Sequence, residues 1–401
     1  METVSVSNSF VGIENPTELH EALYRRYQKM QSPTHLTIVS SAGFGVWDEE
    51  HNAEGYIREG AVDKLICGHF GAMMSTKKLV LEDRFEAYNL PLGCISHAIR
   101  AQAGGLPGAL SKVGLDIFVD PRREGPGINR ISIDDSLVKY VEVDGEEFLY
   151  YKLPKITIAL IKGTAADRKG NITFDDMYMS GDALSICQAV KANRGKVIVQ
   201  VDRLVDTPSR PRNAIIPGCL VDAIVVAEPE ERNEAYTALT GSFEIPYKEW
   251  HTWNEKIHEL SRKQRKNNIP ANIIGKRAAK ELRVDDIVNI GIGIPETVSR
   301  YARKSGMLDM ITLTVESGGI GGFPVSGEAF GAMIGAASVY DMANQFDLYD
   351  NGGLDVCFMG ALEVDRHGNI NAHRGTGAFA GIGGFANITA KTPTVVFMHD
   401  I

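Results

Sequence analysis

No two of the five cysteines stand in a Cys-x-x-Cys arrangement, and their number is odd: Cys67, Cys94, Cys187, Cys219 and Cys357 are scattered over 401 residues. Such spacing argues against a disulfide framework or a zinc ribbon, and a reducing cytoplasm is the expected location. Apolar runs of 18 residues are also missing, as is a charged start followed by an apolar stretch and a small-residue cleavage site, so no membrane association is expected. Positive charge is in short supply. Lys and Arg number 42 against 51 Asp and Glu, a formal net charge of −9, and without a broad cationic field nucleic acid is not an expected partner. The patterns GxxxxGKS/T, HExxH and GxSxG and the EF-hand loop are all lacking, which removes the usual warrants for phosphate-loop, zinc-protease, serine-hydrolase and calcium-binding readings. His69, His367, His373 and His399 show no metal-like spacing, so no metal site is expected, and these side chains read as surface or hydrogen-bonded core histidines. The cysteines read as core thiols.

What remains is the balance of a folded protein, 44% hydrophobic and 23% charged, in a chain long enough for two or three domains. Short β-branched runs recur at Leu36 to Val39, Ile156 to Ile161, Lys196 to Val201, Ala223 to Val226, Ile287 to Ile290, Met310 to Val315, Leu354 to Met359 and Thr394 to Met398. They do not alternate with polar residues, as expected of strands covered on both faces. Helix-period stretches such as Pro16 to Met30 and Ala183 to Ala192 lie between them, which predicts an α/β protein with largely parallel strands. The texture changes at Glu228 to Pro270, where Trp250, Trp253, Ile257 and Leu260 are spaced for one helix face and a basic run covers residues 262–266. We therefore divide the chain into a first half (1–228), a connecting segment (229–270) and a second half (271–401).

The halves repeat. Asp167-Arg168-Lys169-Gly170-Asn171-Ile172 recurs as Asp365-Arg366-His367-Gly368-Asn369-Ile370, displaced by 198 positions, and the run from Lys196 overlays that from Thr394 in the same register. Upstream, Ile38 to Gly43 parallels Thr314 to Gly319. The register leaves Ala223 to Val226 without a second-half counterpart, from which a fragment or a shortened form is expected.

Two glycine-rich segments follow predicted strands. Gly291-Ile292-Gly293-Ile294-Pro295-Glu296 lacks the third glycine of a dinucleotide fingerprint, so nicotinamide binding is not expected, although a helix start there still offers backbone N–H groups to an anion. The other is of a different kind: the run ending at Val315 delivers Glu316 and then breaks into Gly318, Gly319, Gly321 and Gly322. A carboxylate at the carboxyl end of a buried strand is placed where open α/β sheets bind ligands and can act as a general base or a covalent nucleophile. An ordinary solvated loop acid beside a tight turn would look the same in sequence.

Val288 to Pro295, Val315 to Gly321, Gln345-Phe346, Gly352 to Asp355, Asp365 to Asn369 and Gly381-Ile382-Gly383-Gly384-Phe385, in that order, resemble the family I coenzyme A transferases. Tyr88-Asn89 with Pro91 and Gly93, and Phe118 to Arg122, are similar to the acetate/propionate branch of that family. The resemblance implies two related open α/β domains with the site in the cleft between them, and Glu316 as the catalytic nucleophile. It further implies that Gly291, Gly293, Gly318, Gly319, Gly383 and Gly384 contribute to oxyanion and CoA binding. The implied reaction moves CoA between a short-chain acyl-CoA and a carboxylic acid such as acetate, with coenzyme A as substrate, no tightly bound cofactor and a homo-oligomeric assembly. The family's glutamine oxyanion donor corresponds here to Leu92, which has no side-chain donor. A thioesterase, or a catalytically silent binding protein of the same fold, stays open as an alternative.

Overall fold

The computed structural model describes residues 3–6, 15–44, 54–207, 210–228, 269–325, 330–375 and 378–400. The connecting segment's expected helix and basic run lie outside these residues. Two compact units are present, Met1–Asn233 with Gly381–Gly384, and Glu234–Ala380 with Phe385–Ile401.

In the first unit the strands Thr3–Val6, Leu36–Ser40, Val62–Cys67 and Glu86–Asn89 run parallel to one another and to Ile158–Asp167, Lys196–Val205 and Ala223–Val226. Leu36–Ser40 is buried at every position, which is why its apolar residues do not alternate. Helix Thr17–Met30 turns Leu19, His20 and Tyr27 inward. The His20 ring stacks between Phe44 and Tyr56, with centroids 5.1 and 5.9 Å away, and burial pushes its pKa down to about 3. A separate antiparallel sheet joins Ala109–Ser111, Val138–Val143 and Glu146–Tyr151. Its hairpin turns at Asp144 and Gly145, both at positive φ as a two-residue hairpin loop requires. Asp120, in the Phe118 to Arg122 motif, is buried and held well below the usual carboxylate range, at about 2, by the Arg122 guanidinium, which also lies 4.2 Å over the Tyr140 ring.

The second unit carries a six-stranded sheet in the order Ser338–Val339, Gly319–Ile320, Thr312–Thr314, Ile287–Ile290, Val356–Gly360, Thr394–Met398. The last four are parallel and repeat the first unit's arrangement. Lys196 pairs with Ile158, and Thr394 pairs with Val356, so both members of the pair are displaced by the same 198 positions. The two Asp-Arg turns are built alike. Asp167 Oδ1 accepts the N–H groups of Lys169 and Asn171, and Asp365 Oδ1 accepts those of His367 and Asn369. In each, the second carboxylate oxygen takes the asparagine side chain, and Gly170 and Gly368 adopt φ of +77° and +84°.

The repeat breaks where the chemistry was expected. Beyond Leu36–Ser40 the chain crosses over to the parallel strand Val62–Cys67, but beyond Thr312–Thr314 it reverses at once into the antiparallel Gly319–Ile320. The run expected from Met310 to Val315 is accordingly shorter: Leu308–Met310 forms a 3-10 turn, and Val315 already belongs to the reversal.

Candidate active site

Glu316 sits at the tip of that reversal. Gly318 N–H donates to Val315 O at 3.1 Å and Val315 N–H to Gly319 O at 2.9 Å, which leaves Glu316 and Ser317 as the two central residues of the turn. Gly318 has φ +116°, and a Cβ there would stand 2.0 Å from Tyr340 O, so only glycine closes the turn. Ser317 is buried with its hydroxyl donating to Gly331 O, whereas Glu316 keeps part of its side chain accessible. Burial raises the Glu316 pKa to about 7. A carboxylate that resists ionisation to that extent is a stronger nucleophile once ionised.

Beneath the turn lies a buried polar network. Tyr349 donates its hydroxyl to Thr314 Oγ1 at 2.9 Å, Thr314 Oγ1 donates to Val288 O at 3.1 Å, and Asn289 Nδ2 lies 3.3 Å from the Tyr349 oxygen and 3.4 Å from Thr314 O. Gln345, one helical turn before Tyr349, lies near the phenol without a hydrogen bond of ordinary geometry. The Tyr349 pKa is raised, by burial first and also by the charge of Glu316, so the network lies within electrostatic reach of the carboxylate. Asn289 and Gln345 stood in the quoted motifs and Thr314 in the repeat, but Tyr349 stood in neither, and nothing in their spacing marked them as a network.

At the counterpart position in the first unit, Ser40 Oγ accepts Gly43 N–H at 3.1 Å. Ser41 and Ser96 both donate to the buried Asp182. The carboxylate near this strand end thus comes from Asp182, much later in the chain, and is engaged by two hydroxyls, whereas the position matching Glu316 carries a serine.

Four of the six glycines singled out in the sequence belong to the second unit. Gly291 N–H is taken by Phe358 O at 2.8 Å, and Gly318 and Gly319 build the reversal itself. Gly293 has φ +92° and opens the 3-10 turn Ile294–Glu296 ahead of helix Thr297–Lys304. Gly383 and Gly384 group with the first unit instead. There Gly383 N–H donates to Gly68 O at 2.8 Å, Leu92 N–H donates to Gly383 O at 2.9 Å, and Ile382 N–H donates to Asn89 Oδ1 at 2.9 Å. Asn89 Nδ2 in turn holds the carbonyls of Cys67 and Gly68. Neither Gly383 nor Leu92 therefore has a free N–H, and Gly384 N–H has no acceptor among the described residues. His69, read from sequence as unremarkable, lies against the same strap. No group of three His, Cys, Asp or Glu among the described residues is arranged to hold a metal ion, and no helix among them is long and apolar enough to cross a membrane.

A partly accessible, hard-to-ionise carboxylate on a glycine-closed turn, in a duplicated α/β framework, marks a candidate enzyme site. The sequence matches the family described as coenzyme A transferase over residues 6–227 and 271–399, and the chain belongs to that family. It is 37% identical to acetate CoA-transferase YdiF of Escherichia coli, covering 98% of this chain and 72% of the relative. It is 36% identical to caffeate CoA-transferase of Acetobacterium woodii, covering 95% and 72%. A crystal structure of the Escherichia coli acyl-CoA transferase YdiF as a thioester complex with CoA covers all of this chain and 77% of that one, with a TM-score of 0.86 and 33% identity. The protein is a CoA-transferase: it moves CoA between an acyl-CoA and a carboxylate.

Proposed function

We propose that the donor is a short-chain acyl-CoA, that acetate is among the acceptors, and that CoA is carried through a thioester on Glu316. The similarity to an acetate CoA-transferase favours the small acid. The observation that carries the mechanism is the placement of Glu316 on a turn locked by Gly318, with burial holding its pKa near 7.

In this mechanism a Glu316 carboxylate oxygen attacks the thioester carbonyl carbon, the C–S bond breaks, and CoA leaves as thiolate with the bonding pair. The resulting mixed anhydride is attacked at its glutamyl carbonyl by that thiolate. The C–O bond to the donor acyl group breaks, the donor departs as a carboxylate, and glutamyl-CoA remains. An acceptor carboxylate then runs both steps in reverse and frees Glu316. No net proton, metal or nucleotide is consumed. Each tetrahedral stage bears a negative oxygen that backbone N–H groups can hold, and the family resemblance assigns Gly383 and Gly384 to that role, of which Gly384 alone has an N–H with no acceptor among the described residues. Gly291, Gly293, Gly318 and Gly319 act by shaping the strand ends that receive CoA.

Incubation with acetyl-CoA in the absence of acceptor should leave CoA on the peptide containing Glu316, detected by mass spectrometry after proteolysis. Glu316→Gln should abolish both adduct and exchange, since an amide is a very poor nucleophile. Glu316→Asp should lose about 100-fold because withdrawing the carboxylate by a methylene spoils the attack geometry. An adduct on another peptide, or full turnover by Glu316→Gln, would remove Glu316 from the mechanism.

A further inference from the structure

We propose that Tyr349 is a positioning residue for the nucleophile: its phenol fastens Thr314, the last residue of the strand that leads to Glu316, and through Thr314 holds the carboxylate in place for attack. The inference rests on Glu316 as the nucleophile and adds the means by which its turn is held.

The Glu316 turn is a closed loop on a very short strand. Gly318 N–H donates to Val315 O and Val315 N–H to Gly319 O, so the turn moves with Val315 as one piece. Its height above the sheet is therefore set by Thr312–Thr314, a strand of 3 residues that pairs with Ile287–Ile290 on one side and through Thr314 with Ile320 on the other. A ladder that short holds its end weakly. Side chains secure it instead: Thr314 Oγ1 donates to Val288 O at 3.1 Å, and Tyr349 donates to Thr314 Oγ1 at 2.9 Å. The threonine hydroxyl has one proton and gives it to Val288 O, so it can meet the phenol only as an acceptor, which fixes the direction of the Tyr349 proton. Asn289 Nδ2, 3.3 Å from the phenol oxygen, stands at the head of the chain of bonds. Thr314, Asn289 and Tyr349 are all buried, where water does not compete for these bonds.

The phenol is itself held still. Tyr349 lies in helix Met342–Asp350 with its ring edge-on to Phe346, centroids 5.7 Å apart. Burial above all, and also the charge of Glu316, raises its pKa, so it stays protonated and remains a donor. The repeat supplies the contrast. Thr314 corresponds to Ile38, buried and apolar, in the half where Ser40 takes the place of Glu316. A strand of this framework thus packs without a hydroxyl, and the buried anchor belongs to the half that delivers a carboxylate. Such an anchor matters to rate because a displacement of about 1 Å at a reacting atom can cost about 100-fold.

The test measures exchange between acetyl-CoA and short carboxylates by the full chain, with thermal melts to check folding. Tyr349→Phe, which removes only the hydroxyl, should lower kcat at least about tenfold and change KM less than about threefold, since attack geometry is disturbed and binding is not. Thr314→Val should do the same, whereas Thr314→Ser, which keeps the hydroxyl, should stay within about threefold of wild type. The double variant Tyr349→Phe/Thr314→Val should be no more than about threefold slower than the slower single variant, because both break one link. A loss below about tenfold in Tyr349→Phe, a larger change in KM, a Thr314→Ser variant as slow as Thr314→Val, or losses that multiply in the double variant would each overturn the proposal while leaving the transferase intact. If Tyr349→Phe fails to fold, the Thr314 pair decides: a fast serine variant with a slow valine variant supports the anchor, and equal rates overturn it. A wild-type protein that forms no CoA adduct on the Glu316 peptide would instead defeat the glutamyl mechanism, and this inference with it.

Discussion

Glu316 combines reactivity with instability. With its folded pKa near 7 against about 4.5 in the unfolded chain, the folded state binds the proton more tightly. Stability from this group is therefore greatest below pH 4.5 and lost as pH rises through 7. Glu316→Gln should melt like the wild type at pH 4.5 and be stabilised by on the order of 1–3 kcal/mol at pH 8, a difference that chemical denaturation at the two pH values measures. Activity runs the other way. The nucleophile must be ionised, so kcat for exchange should rise with pH along a limb centred near 7. A flat profile between pH 5.5 and 8 would show that the attacking group is not this carboxyl.

At the scale of elements, the two Asp-Arg turns offer a matched experiment within one chain. Each aspartate accepts two backbone N–H bonds and one asparagine side chain, but Asp167 is buried whereas Asp365 is exposed. Water can replace the lost acceptor only at the second site. Asp167→Ala should therefore cost about 2–3 kcal/mol, and Asp365→Ala clearly less, in urea denaturation. Equal costs would mean that solvent access does not govern these turns. The same comparison explains why duplication preserved the turns but not the segment after the central strand: a turn closed by its own aspartate is self-contained, whereas the Glu316 reversal depends on Tyr340 and Gly331 from later in the chain.

Two properties belong to the whole molecule. The first is acid stability. His20 is buried against Phe44 and Tyr56 with its pKa lowered to about 3, so its contribution is complete above pH 6.5 and falls by about 1.4 kcal/mol per pH unit below that until pH reaches about 3. His20→Phe should flatten the loss of stability between pH 6.5 and 4, as read from melting temperature against pH. The second is association. Strand Thr394–Met398 is the end strand of the second sheet and, among the described residues, pairs with Val356–Gly360 alone, whereas its counterpart Lys196–Val205 is covered by Ala223–Val226. We propose that this edge, unpaired among the described residues and carrying the exposed Phe397, is a surface for assembly with another chain, in which case light scattering should find an oligomer. A monomer at high concentration would count against that reading.

Local chemistry was legible in the order of residues. The Asp-Arg-x-Gly-Asn turns needed only their own side chains and one left-handed glycine, the β-branched runs needed only burial on both faces, and Glu316 stood out through the family resemblance, since an ordinary loop acid beside a tight turn has the same local pattern. Long-range pairing was not legible. Only the folded chain brings Gly383 to Gly68, so that the Gly383 N–H is occupied, and only the fold sets His69 along the same strap with Gly71 N–H on its Nδ1. The pKa of Glu316 depends in the same way on what surrounds it. The sequence by itself determined the framework and the place of Glu316 after a buried strand, because those follow from periodicity and residue type. Tertiary structure decided which N–H groups remain free and how readily each acid ionises, because both depend on neighbours distant in the chain.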